Sequence, residues 1–165
     1  MKKSWSVRVY KEAFNFCSAH FLIFADGTRE ELHGHNYRVW VEVDGPLGDD
    51  DMVLDFMYLK PLVKKVCDSI DHRMILPRDN PFLELREDGG QLIAVQGDDH
   101  FSFPRRDVIV LPLRNTSTER LAEWVCGRIR EELERTVPAD KLDRIRVSVE
   151  ESSGQCGIYE ERRLA

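Results

Sequence analysis

The chain has 165 residues, 42% hydrophobic and 33% charged, a length and balance that suit one folded domain spanning 1–165 with a buried core. A net charge of −6 with no long basic cluster argues against a nucleic-acid partner, and no apolar run approaches the length of a membrane span. Met1-Lys2-Lys3-Ser4-Trp5 is not followed by the apolar stretch of an export signal, so a cytoplasmic location is expected.

Trp5, Val7 and Val9 alternate with polar residues, the period of a half-buried strand, and Phe14 and Phe16 extend that pattern towards His20. Residues 21–31 hold the turn-rich Ala25-Asp26-Gly27-Thr28. A second strand follows, with Tyr37, Val39, Val41 and Val43 on one face and Arg38 and Glu42 on the other, closed by Gly45-Pro46 and Gly48-Asp49-Asp50-Asp51. Asp55 is a helix N-cap, and Phe56, Leu59, Leu62, Val63, Val66, Cys67 and Ile70 form an amphipathic stripe. Pro61 predicts a distorted first turn or two.

Residues 77–106 are polar and rich in turn signals, with a hairpin predicted from 92–95 and 100–103 about Gly97-Asp98. Val108 to Leu111 is another strand. Thr116 and Glu119 have capping-box spacing ahead of a second helix with Leu121, Trp124, Val125, Ile129 and Leu133 on its apolar face. Ile145, Val147 and Val149 alternate as a strand, and Cys156 to Tyr159 forms the last. This order predicts an α+β layer with two helices on one face of an antiparallel sheet. The four cysteines, Cys17, Cys67, Cys126 and Cys156, have no C-x-x-C spacing and read as thiols.

Chemistry concentrates around Leu32-His33-Gly34-His35-Asn36-Tyr37. Residues i and i+2 of a strand share a side, so His33 and His35 aim two imidazoles at one point. His20, at the end of the preceding strand, supplies a third. Three imidazoles with an open fourth position are what a catalytic zinc requires. Surface histidines are the alternative, but three of the five histidines fall within sixteen residues. His100 stands alone in a polar hairpin and reads as exposed. Asp71-His72 follows the first helix, either as a carboxylate-oriented acid-base pair or as a helix C-terminus with a favourable cation. Glu150-Glu151 ends a strand, either solvated or placed to bind a guanidine-like edge through two hydrogen bonds.

These segments resemble the 6-pyruvoyl tetrahydropterin synthase family. Phe16-Cys17-Ser18-Ala19-His20-Phe21, Leu32 to Tyr37, Val53-Leu54-Asp55-Phe56, Asp71-His72, Ser117-Thr118-Glu119 and Glu151-Ser152 occur in that family's order, from about residue 5 to residue 160. The resemblance implies the tunnelling fold, a four-stranded antiparallel sheet with two helices and here an inserted hairpin. It implies Zn2+ on His20, His33 and His35, a pterin substrate such as 7,8-dihydroneopterin triphosphate, and Asp71 and His72 as a catalytic pair. It further implies Glu151 as the anchor of the pterin ring, with Ser117 and Thr118 lining its pocket. The assembly would be a homo-oligomer, commonly a hexamer built as a dimer of trimers, with active sites between subunits.

One departure bears on the reaction. Most members carry a catalytic cysteine ahead of the H-G-H motif, where this chain has Gly27, Thr28 and Arg29. Arg29-Glu30-Glu31-Leu32-His33 resembles the variant class in which glutamate takes the cysteine's role; Glu30 is the better match and Glu31 the near alternative. That class is associated with cleaving the substrate's side chain to 6-hydroxymethyl-7,8-dihydropterin for folate synthesis. The alternatives are a synthase making a 6-pyruvoyl- or 6-carboxy-tetrahydropterin and a non-catalytic pterin- or zinc-binding protein. An unrelated zinc hydrolase lacks support, since H-E-x-x-H is absent.

Overall fold

A computed structural model describes residues 4–163; the remaining positions at either end of the span 1–165, including part of the segment read for an export signal, lie outside that range. The strands in chain order are β1 (Trp5–Val9), β2 (Asn15–His20), β3 (His33–Gly45), β4 (Arg73–Pro77), β5 (Glu84–Asp88), β6 (Gln91–Gln96), β7 (Asp99–Pro104), β8 (Val108–Leu111), β9 (Arg144–Ser152) and β10 (Gln155–Arg162). The helices are α1 (Phe56–Ile70) and α2 (Thr118–Leu133).

The sequence pattern predicted one strand from Trp5 towards His20; there are two. Val7 and Val9 are odd and Phe14 and Phe16 even, so a single strand would send them to opposite faces. The chain turns out of the sheet between them, with the Phe14 N–H on Lys11 O at 2.9 Å, and re-enters where Phe14 O accepts from Val39 N at 2.8 Å. β1 and β2 thus pair antiparallel with successive halves of one edge of β3, Val9 opposite Val41 and Asn15 opposite Arg38. β9 pairs with the other edge of β3, and β10 folds back on β9. These five strands are the expected antiparallel sheet of four, its first strand split into β1 and β2. Two strands extend it: β4 lies parallel to β2 and β8 parallel to β4, giving seven strands in all. Met74, Ile75, Leu76 and Pro77 of β4 are all buried, as suits a short apolar run inside a parallel arrangement.

Tyr37, Val39, Val41 and Val43 of β3 and Ile145, Val147 and Val149 of β9 meet the helices in one core. α1 contributes Leu59, Leu62, Val63, Val66, Cys67 and Ile70; α2 contributes Leu121, Val125, Ile129 and Leu133. Each such side chain, fully buried, stabilises the fold by roughly 1.5–3 kcal/mol before chain entropy is counted. Asp55 caps α1 as predicted, its Oδ1 accepting from Met57 N at 2.7 Å, and the helix continues through Pro61. Phe56 leaves the predicted stripe and is exposed.

The cap of α2 differs from the predicted capping box by one residue. Ser117, not Thr116, is the N-cap and accepts from Arg120 N. The predicted hairpin about Gly97-Asp98 forms from β6 and β7, and β5 adds a third strand. This small sheet packs through Leu92 and Ala94 onto Phe21, Ile23, Met74, Leu76 and Val108, a second apolar cluster beside the first. No helix among the described residues is long and apolar enough to cross a membrane.

Candidate active site and metal centre

β2 and β3 pair with His20 opposite His33, Ser18 opposite His35 and Phe16 opposite Tyr37. Residues 33, 35 and 37 therefore share the face that carries Val39 and Val41 into the core. The imidazoles sit where this core face runs out beyond the helices. One nitrogen from each of His20, His33 and His35 lies within 4.8 Å of the others. Gly34 permits the close pairing, since a Cβ there would stand 3.0 Å from Ser18 O.

Each ring is oriented by what its other atoms touch. His20 Nδ1 faces Thr116 O at 3.1 Å and Thr116 Oγ1 at 3.2 Å, and Thr116 Oγ1 donates to Phe21 O. His33 Nδ1 donates to Glu31 O at 2.7 Å. Both arrangements turn Nε2 towards the cluster. His35 Nε2 is buried without a hydrogen-bond partner among the described residues. An orphaned imidazole nitrogen beside two others is the donor set a zinc ion fits, and such an atom is costly to bury unless something binds it. Burial first, and the neighbouring His33 and His35 second, push the His20 pKa down to about 4, which keeps it the neutral ligand a metal requires. Tyr37 OH lies 3.1 Å from His20 Nε2, and Tyr37 stacks on Phe16 at 4.7 Å between ring centroids. Burial, then the nearby Glu151 and Glu30 carboxylates, hold the Tyr37 phenol well above its ordinary pKa, so it stays protonated.

Glu30 lies in the loop from β2 to β3. Its N–H donates to Leu22 O at 2.9 Å, and its Oε2 accepts from Leu22 N at 3.2 Å. It is half-buried, and its charge raises the proton affinity of His20 and Tyr37. Glu31, the near alternative, is exposed and offers its backbone carbonyl to His33. Glu151 stands two residues beyond Val149 on the core face of β9, and its charge is felt at Tyr37. Glu150 faces the other way, towards Arg38 at 3.9 Å. Ser117 and Thr118 lie half-buried at the start of α2. The first turn of α2 lies so close to β10 that a Cβ at Gly157 would lie 2.4 Å from both Thr118 C and Glu119 N.

Asp71 and His72 form the predicted pair but stand apart from this cluster. His72 Nδ1 is 2.8 Å from Asp71 Oδ2, and His72 adopts a left-handed φ of 54°. The two residues grip the backbone of β2, Asp71 Oδ1 accepting from Cys17 N at 2.8 Å and Cys17 O accepting from His72 N at 2.7 Å. Burial alone would raise the Asp71 carboxyl; hydrogen bonds from the Cys17 amide and His72 outweigh it and hold the group below its ordinary pKa. The pair lines an open cleft with Cys17, Asn36, Arg38 and Trp40, residues of the sheet face opposite the histidine cluster. Cys17 is a free, exposed thiol on that opposite face. His100 is exposed in β7, as predicted.

Thr116, read in the sequence only through its capping-box spacing, is the buried threonine that touches His20, a contact visible only once the fold joins residues 20 and 116.

Residues 8–162 match the family model described as 6-pyruvoyl tetrahydropterin synthase. The chain belongs to that family. It is 35% identical over 147 residues to a Methanocaldococcus jannaschii protein provisionally named a 6-carboxy-5,6,7,8-tetrahydropterin synthase, covering 87% of this chain and 88% of that one. Plasmodium falciparum 6-pyruvoyl tetrahydropterin synthase superposes with a TM-score of 0.92 at 36% identity, over 98% of this chain and 100% of that one. A Plasmodium vivax 6-pyruvoyltetrahydropterin synthase, solved with a catalytic glutamate replaced by alanine, superposes with a TM-score of 0.91 at 31% identity and the same coverage. The family is one of pterin-processing lyases on the tunnelling fold, and this chain is an enzyme of that class.

Proposed function

We propose that this chain is a zinc-dependent lyase acting on 7,8-dihydroneopterin triphosphate, with residues 1–165 working as one pterin-synthase-like domain in a cytoplasmic homo-oligomer. The observation that carries the reading is Glu30, a carboxylate rather than a thiol, placed beside the three-histidine cluster. His20, His33 and His35 would hold the metal, whose Lewis acidity would be directed at the substrate's side-chain hydroxyls.

Glu30 moves a proton at that side chain. A carboxylate is a weaker base in water than a thiolate by several pKa units. Glu151 accepts paired hydrogen bonds from the amino-pyrimidine edge and fixes the ring, with Ser117 and Thr118 beside it. His72, oriented by Asp71, exchanges a second proton. Because Asp71 and His72 face away from the cluster of their own chain, they serve the site of a neighbouring subunit. A hexamer built as a dimer of trimers fits this sharing.

Glu30 in place of a thiol supports side-chain cleavage to 6-hydroxymethyl-7,8-dihydropterin, a folate precursor. The second reading, a 6-carboxy- or 6-pyruvoyl-tetrahydropterin synthase, is supported by the name of the Methanocaldococcus relative. Mass spectrometry of the product from zinc-loaded protein and 7,8-dihydroneopterin triphosphate separates them. A 6-hydroxymethyl product upholds cleavage, a carboxy or pyruvoyl product replaces it with the synthase reading, and tight pterin binding without turnover leaves a binding protein.

A further inference from the structure

The loop that carries Glu30 is held by the inserted sheet. Arg29 precedes Glu30, forms an isolated bridge with Ile23, and extends its guanidinium towards β7. There Nε and Nη2 both donate to Asp99 Oδ2. The guanidinium carbon lies 4.9 Å from the centre of the Phe101 ring and 5.5 Å from that of Phe21, and these two rings stack at 5.3 Å. Its third nitrogen, Nη1, donates to Glu30 O at 2.7 Å. One side chain, 19% exposed, thus joins the insert, the residue after ligand His20 and the backbone of Glu30. The insert grips the loop again at Gly27, whose carbonyl accepts from Gln96 Nε2 and whose Cα faces the Phe82 ring.

With its N–H and one carboxylate oxygen fixed by Leu22 and its carbonyl fixed by Arg29, Glu30 has little freedom left. A surface ion pair kept for stability alone would need only Asp99, and would be worth about 0–1 kcal/mol. The planar fork lying over two rings, with a separate nitrogen reserved for the Glu30 carbonyl, is a geometry lysine cannot reproduce. We infer that Arg29, held by Asp99 and Phe101 of the inserted sheet, is a positioning residue that sets the Glu30 carboxylate against the histidine cluster. The inference rests on the reading of Glu30 as the base.

The test is steady-state turnover of 7,8-dihydroneopterin triphosphate by zinc-loaded Arg29→Gln, Asp99→Asn, Glu30→Gln and the Arg29→Gln/Glu30→Gln double variant, with bound zinc measured in each. Asp99 is half-exposed, so Asp99→Asn leaves the fold intact and keeps the test decisive if Arg29→Gln folds poorly. Because misplacing a catalytic group by about 1 Å costs on the order of 100-fold, kcat should fall about 10- to 100-fold in Arg29→Gln and by a smaller factor in Asp99→Asn, with KM and zinc within about twofold of wild type. The double variant should be no slower than Glu30→Gln alone. Unchanged kcat in Arg29→Gln and Asp99→Asn, loss of zinc in proportion to kcat, or a repeat of the full Arg29 loss in the Glu30→Gln background would overturn the inference. Wild-type kcat in Glu30→Gln would instead remove the base assignment, and the positioning role with it.

Discussion

His20 and His33 are direct cross-strand partners of β2 and β3, with ring centroids 4.8 Å apart. His35 lies two residues further along the same face, with its centroid 4.8 Å from that of His33. His33→Ala should therefore leave two ligands and abolish retention of zinc through gel filtration, while His100→Ala should keep it. Equal zinc content in the two variants, read by elemental analysis, would refute the ligand set.

Thr116 governs how His20 is presented. Thr116→Val removes the hydroxyl at 3.2 Å from His20 Nδ1 and the bond to Phe21 O, but leaves the Thr116 carbonyl in place. Partners of this kind are worth about 10- to 100-fold in metal affinity. The remaining carbonyl puts the expected loss near the lower bound, to be measured by competition with a chromophoric chelator. An unchanged affinity would show that the carbonyl alone orients the ring.

Gly157 lets β10 approach the first turn of α2. Gly157→Ala would force a Cβ to within 2.4 Å of the Glu119 backbone, and overpacking of this kind costs about 1–3 kcal/mol. For a chain of this size that lowers Tm by roughly 2–12 °C. The displaced helix start also carries Ser117 and Thr118, so KM for the pterin should rise; a lowered Tm with unchanged KM would separate that turn from the substrate pocket.

The opposed faces of the histidine cluster and the Asp71-His72 pair predict complementation. His33→Ala and His72→Ala, each inactive alone, should regain activity when unfolded and refolded together, because mixed assemblies contain sites with a full set of groups. No recovery in mixtures whose mixed assembly is verified by mass would place all the catalytic groups in one subunit.

Much of the site was legible because strand periodicity is local. The H-x-H spacing put His33 and His35 on one face, and that parity now sets Glu151 on the core face of β9 with Glu150 opposite. The parity change between Val9 and Phe14 was also in the sequence and, read strictly, signals the break between β1 and β2. β4 and β5 were harder. Met74 to Pro77 is too short an apolar run to show a period, and Glu84 to Asp88 is largely exposed and charged. The roles of Thr116, Asp99 and Phe101 had no local signature, since each depends on contacts across 70 or more positions of chain.

The central claim is that Glu30, rather than a thiol, is the base at a three-histidine metal site. Its most direct test is single-turnover conversion of 7,8-dihydroneopterin triphosphate by Glu30→Gln at full zinc occupancy. The amide keeps the size and the hydrogen bond from Leu22 N but cannot take a proton. The predicted result is a loss of at least about 100-fold in the chemical step, the scale of a removed general base, with zinc content and substrate binding retained. Turnover at the wild-type rate would contradict the account and move the base to Glu31 or to another group.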